Sequence, residues 1–345
     1  MLFCCAPGNF GGVQESEKRI DLGLYRLVIL DEYAIFLRYF FIFFCLSILA
    51  YVATDYALYR KKIQVRAYIP MVAITLGTIV IVCMTVQKYK VESDIWNCRE
   101  RVKCARYFIH AGGEIINEDG VIETYTNSKE AIVNAYDNGN TFIELDFLMT
   151  SDEHLVCAHD YSYNDTWAYG YSFTSPPTQK EFLEQKFCGI YTSISLTDLA
   201  QYMRINKDLF IVTDVKDDNV KCCEIIKAEC PDLLDRFIVE IYHIEEYQPI
   251  FGMGFHNIVY ALYKSSSDEM ELSRLQKVIR EVDLVGIVFE DFQADEDPFF
   301  FGLLDTKVPC IVFTVNDKKD MERYIQKGAV AIYTDVTEKK RLYID

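Results

Sequence analysis

Residues 141–147, Thr-Phe-Ile-Glu-Leu-Asp-Phe, set two carboxylates, Glu144 and Asp146, two positions apart inside an apolar run. Side chains alternate along a strand, so Glu144 and Asp146 share one face while Ile143, Leu145 and Phe147 share the other. The apolar face can pack under helices. The acidic face is costly to bury unless positive charge sits against it. A divalent cation is the simplest partner, and hard oxygen ligands suit Mg²⁺ or Ca²⁺. Residues 209–216, Leu-Phe-Ile-Val-Thr-Asp-Val-Lys, repeat the arrangement with Asp214 and Lys216 on one face. Asp214 would complete the protein ligands of the cation. Lys216 would neutralise an anionic substrate such as a phosphodiester. At exposed strand ends the same residues would be no more than solvated carboxylates and a simple ion pair.

Further short runs rich in Ile, Val, Phe and Tyr lie on both sides: 107–110, 155–159, 237–242, 257–263, 284–289, 310–315 and 329–334. Helical segments separate most of them, which implies parallel βα units. The gap between 147 and 155 is too short for a crossover helix, so that pair breaks the repeat. Units of this kind over residues 107–345 fit an α/β fold of the (β/α)₈ TIM-barrel type, which takes about 250 residues. A doubly wound open sheet is the alternative, but no Gly-rich phosphate loop follows a strand. Asn127-Ser128-Lys129-Glu130 reads as a helix cap with an acidic third helical position, and Gly139 as the stop.

Histidine is scarce, with 5 in the chain. His110 ends the first barrel run and His159 ends the run 155–159. Strand ends form the active-site face of such a barrel, so this pair can act as general acid and general base. His154, His243 and His256 have no such context.

The first ninety residues differ in character. Residues 39–54 and 67–87 are free of charge, and about twenty apolar residues span a bilayer. The second block qualifies directly. The first does so with its flank 34–37 and with Arg38 reaching the interface. The expected organisation is an N-terminal segment (1–33), a two-helix membrane anchor (34–90), a linker (91–106) and the barrel (107–345). Arg60, Lys61, Lys62 and Arg66 lie between the two blocks, and the positive-inside rule puts that loop in the cytoplasm and the barrel outside. The 12 cysteines pull the other way, since they lack disulfide-like or zinc-like spacing apart from a conceivable Cys98–Cys104 pair. A net charge of −17 argues against nucleic acid as a partner, and the apolar blocks make the lipid bilayer one.

The order His110-Ala-Gly-Gly, Tyr125-Thr-Asn-Ser-Lys-Glu-Ala, Glu144-Leu-Asp146, His159-Asp160, Asp214-Val-Lys216, Phe313-Thr-Val-Asn316 and Gly328-Ala-Val-Ala-Ile-Tyr-Thr-Asp335 resembles the glycerophosphodiester phosphodiesterase family. The resemblance implies a TIM barrel whose one divalent cation is held by Glu144, Asp146 and Asp214. It also implies acid–base work by His110 and His159, and phosphate contact by Lys216. Such enzymes split glycerophosphodiesters into glycerol 3-phosphate and an alcohol. The chain departs from the family pattern at Ala111 (usually Arg), Asp214 (usually Glu) and Phe313 (often Trp). Losing that arginine removes a bidentate phosphate grip. The Asp-x-Lys variant is also similar to sphingomyelinase D-like phospholipases, which leaves lysophospholipids as alternative substrates. A silent head-group-binding module on a membrane anchor is the reading from a different class.

Overall fold

The computed structural model describes residues 56, 68–117, 119–161 and 170–337. Their β-branched and aromatic runs become eight staves: β1 Tyr107–Ile109, β2 Phe142–Met149, β3 Phe210–Val215, β4 Phe237–Ile241, β5 Ile258–Ala261, β6 Gly286–Glu290, β7 Cys310–Phe313 and β8 Ala331–Thr334. Each pairs parallel with its neighbours in chain order. The ring closes where β1 pairs with both β8 and β2. Closure satisfies every stave on both edges, and helices cover the outer face. The run at 155 is no stave: Leu155–Cys157 lies antiparallel beside β2, the only pairing so short a connection permits.

The alternation in β2 is the one its sequence dictates. Ile143, Leu145 and Phe147 are fully buried among residues of the surrounding helices, including Ile132, Leu199 and Met203. Phe142 points the other way, into a cluster with Phe108, Phe210, Val212 and Ile238. The Phe142 ring stacks between Phe108 and Phe210, with centroids 5.3 and 5.0 Å away. Above this apolar layer the inward positions turn acidic. The β2–β3 register sets Glu144 beside Val212 and Asp146 beside Asp214.

Residues 91–105 do not behave as a linker. No Gly or Pro interrupts 78–105, and one helix runs Tyr68–Ala105. Ile95, Cys98 and Val102 on its last turns are buried with the apolar layer at the N-terminal ends of the staves. Arg99 donates to the Leu284 carbonyl at 2.7 Å, and Arg101 lies 5.5 Å over the Phe210 ring. Six residues apart on one helix, Cys98 and Cys104 point in different directions and form no disulfide with each other. The compact unit containing the barrel runs Val91–Asp345, and a separate unit precedes it. The segment Ile74–Ala105 of this helix is long and apolar enough to cross a membrane, with Leu76, Ile81 and Met84 exposed. The first apolar block, 39–54, lies outside the described residues.

Candidate active site

The C-terminal ends of the staves bring Glu144, Asp146 and Asp214 together, with one carboxylate oxygen from each within 4.8 Å of the other two. Glu144 and Asp146 are buried, and the Asp214 side chain is 13% exposed. Each carboxylate is held differently. The Ala111 N–H donates to Glu144 Oε2 at 2.6 Å, while Glu144 Oε1 is buried with no hydrogen-bond partner. Burial and the like charges of Asp146, Asp214 and Glu240 push the Glu144 carboxyl well above its ordinary range. Asn127 clamps Asp146, donating from Nδ2 to Oδ2 at 2.7 Å and accepting the Asp146 N–H at 2.9 Å. Asp214 Oδ1 accepts from two phenols, Tyr242 at 2.5 Å and Tyr263 at 2.9 Å. Burial pushes Asp214 up, but the Lys216 charge and these donors outweigh it and hold the carboxyl below its usual value.

Lys216 is inside this cluster, not at its rim. Its Nζ lies 2.8 Å from Asp146 Oδ1 and 2.7 Å from Asp214 Oδ2. Burial opposes its charge, yet the two carboxylates hold its pKa above the ordinary lysine value. One ammonium balances part of three carboxylates, and the orphaned Glu144 Oε1 still faces no donor. An all-oxygen donor set with one oxygen lacking a partner fits a hard divalent cation.

The two histidines differ in setting. His110 is buried at the end of β1, and its Nδ1 is 2.8 Å from Asp335 Oδ1. Asp335 is itself fixed by Asn316, whose Nδ2 donates to Oδ2 at 2.6 Å and whose Oδ1 accepts the Asp335 N–H. The carboxylate accepts a hydrogen bond from Nδ1–H, which leaves Nε2 facing Glu144 Oε2 at 3.9 Å. His159 is 42% exposed and pairs with Asp160 at 3.1 Å. The Tyr125 ring stands edge-on to both imidazoles, 4.6 Å from His110 and 5.8 Å from His159.

Tight backbone geometry supports this corner. Ala111, Tyr125 and Asn127 all have left-handed φ (48°, 58° and 47°). At Gly113, with φ 86°, a Cβ would lie 2.4 Å from Thr337 Cγ2 and 2.5 Å from Ile109 Cγ2. The helix Lys129–Asp137 is capped by Ser128, whose side chain accepts the Ala131 N–H, one residue later than the motif suggested. Asn127 is released from capping and turns to Asp146. Glu130 instead accepts from the Thr192 N–H and hydroxyl.

Sequence reasoning quoted Asp335 and Asn316 as motif residues without a role, and it missed Tyr242, Tyr263 and Glu240. Glu240, on β4, is buried and accepts from the Tyr333 phenol. Burial and the Asp214 charge push its carboxyl up to about 8. A carboxylate at an inward position of a third acidic strand was the available signal.

Residues 120–229 match the Glycerophosphoryl diester phosphodiesterase family model. No curated protein is matched by this sequence. The fold is shared with crystal structures of a glycerophosphodiester phosphodiesterase from Thermotoga maritima (16% identity, covering 68% of this chain and 95% of that one, TM-score 0.52). A second, from Parabacteroides distasonis, has 18% identity, covers 68% of this chain and 94% of that one, and gives a TM-score of 0.52. The family match covers one segment of the barrel, residues 120–229, and the crystal structures share its fold, so in that segment and in its architecture the chain is similar to glycerophosphodiester phosphodiesterases.

Proposed function

We propose that the barrel hydrolyses glycerophosphodiesters, or lysophospholipids of the same head-group chemistry, to glycerol 3-phosphate or its acylated analogue and an alcohol. The observation that carries this is the convergence of Glu144, Asp146 and Asp214 beside a histidine already oriented by a carboxylate. Glu144, Asp146 and Asp214 would hold one Mg²⁺ or Ca²⁺, which when bound offsets charge on a phosphate oxygen. His110 presents Nε2 to the acidic cluster and is the imidazole placed to move a proton at the reacting centre. Asp335 keeps its tautomer and supports the imidazolium that forms. His159, more exposed, is suited to the other proton transfer at the solvent side, and Tyr125 spaces the two rings. Lys216 binds Asp146 and Asp214 together and so shapes the ligand set.

The two apolar blocks anchor this barrel in a bilayer, with the basic loop 60–66 inside and the barrel on the outer side. Proteolysis of intact cells tests the side: cleavage of the barrel supports it, and protection opposes it.

The catalytic reading is tested with purified protein, glycerophosphodiesters, and Mg²⁺, Ca²⁺ or chelator. Release of glycerol 3-phosphate should need the cation. His110→Ala and His159→Ala should each lose about 10²-fold or more in turnover. Glu144→Gln should weaken cation binding by calorimetry. Wild-type turnover in both histidine variants would refute the assignment, and binding without turnover would favour a head-group-binding module.

A further inference from the structure

We infer that Lys264 is a phosphate-binding cation of this site, a role that rests on the phosphodiesterase reading above. The sequence pointed to Lys216 for that contact, but its ammonium is already committed to Asp146 and Asp214 at 2.8 and 2.7 Å. Position 111, next to His110, brings only a backbone N–H, and that is given to Glu144. The substrate phosphate therefore needs positive charge from elsewhere on the C-terminal face.

Lys264 is there. It closes the 3₁₀ turn Leu262–Lys264 that follows β5 directly. Its Nζ is 3.5 Å from the Tyr242 ring centroid and 5.5 Å from that of Tyr263. These are the two tyrosines whose hydroxyls donate to Asp214 Oδ1, so the ammonium stands one ring away from the carboxylate cluster. Among the described residues its hydrogen bond is a long one, 3.4 Å to the Val215 carbonyl. Among the described residues no carboxylate forms an ion pair with it. The aromatic faces hold a cation in place without neutralising it and leave its N–H donors open. Partial burial lowers the Lys264 pKa against the pull of the more distant Asp214, Glu240 and Glu246 charges, and Lys216 adds to the lowering.

Charge counting agrees. Within the ligand set alone, ionised Glu144, Asp146 and Asp214 are balanced by Lys216 and one divalent cation, so that set has no positive charge to spare for a phosphodiester. Lys264 supplies one.

The test uses the full chain with Mg²⁺. Inorganic phosphate and glycerol 3-phosphate are titrated by calorimetry, and KM and kcat are measured on a glycerophosphodiester. Lys264→Met should weaken both phosphate ligands and raise KM by about tenfold or more, with a smaller change in kcat. Lys264→Arg should recover most of the loss, and Mg²⁺ affinity should not change in either variant. If Lys264→Met fails to fold, the wild-type lysines are labelled by reductive ¹³C-methylation, with Lys264→Arg assigning the resonance. That resonance should move on phosphate addition. Unchanged phosphate affinity in Lys264→Met, or an unmoved resonance, overturns the inference. Should the wild type release no glycerol 3-phosphate, the phosphodiesterase reading fails by itself, and the phosphate titration still decides the role of Lys264.

Discussion

His110 and Asp335 form the contact on which proton transfer depends most directly. The carboxylate holds Nδ1 at 2.8 Å and is locked in turn by Asn316. Asp335→Asn keeps the shape but presents an amide that can favour the wrong tautomer. The expected result is a fall in kcat of about 10²-fold or more with little change in cation affinity, read by steady-state kinetics and calorimetry. Unchanged kcat would remove Asp335 from the mechanism. Glu240 poses a different question, because its burial is a stability matter. Its folded pKa, about 8, lies above the ordinary 4.5, so the folded protein binds its proton more tightly than the unfolded chain. That stability is fully present below about pH 4.5 and is lost as pH rises through about 8. Glu240→Gln keeps an acceptor for the Tyr333 phenol and never ionises. In cation-free buffer the wild type should lose melting temperature from pH 5 to 8 more steeply than this variant. Parallel curves would contradict the assignment.

At the scale of the element, the turn after β1 does more than connect. It places His110, gives the Ala111 N–H to Glu144, and brings Glu114 N–H onto the Asp335 carbonyl at 2.7 Å. Gly113 permits this by its positive φ and by the lack of a Cβ between Ile109 and Thr337. Gly113→Ala should destabilise the protein by about 1–3 kcal/mol in urea melts, with a further loss of activity as Asp335 shifts. An unaltered midpoint would show that the turn relaxes freely. This turn also marks the limit of what the sequence discloses. Strand periodicity exposed the staves and the shared face of Glu144 and Asp146, because alternation is a local rule. The cap at Ser128 was misplaced by one residue because Asn127, an equally good capping type, is taken by Asp146 instead. The His110–Asp335 pair joins residues 225 positions apart, and no local pattern encodes such a distance. Tyr242 and Tyr263 carry no local mark of their role, since only closure of the barrel aims their hydroxyls at Asp214.

At the scale of the whole barrel unit, its two ends solve opposite problems. The C-terminal end gathers charge and leaves it open to a ligand. The N-terminal end must keep water from the layer of Phe108, Phe142 and Phe210, and loops alone are poor at this because their own polar backbone needs water. Residues 91–105 supply the seal. Ile95 is 3% exposed, Cys98 2% and Val102 0%, all within the cluster that includes those phenylalanines. Burying side chains of this size is worth about 1.5–3 kcal/mol each, so the seal contributes on the order of 5 kcal/mol, comparable with the net stability of a typical domain. A chain beginning at Val91 should therefore fold and bind the cation. A chain beginning at Arg106 keeps every stave and every proposed catalytic residue, but it exposes the phenylalanine layer. It should unfold at markedly lower urea concentration and bind a hydrophobic dye in its folded form. Equal midpoints for the two chains would mean that the barrel closes without its helical plug, and that 91–105 serves only to lead from one unit into the next.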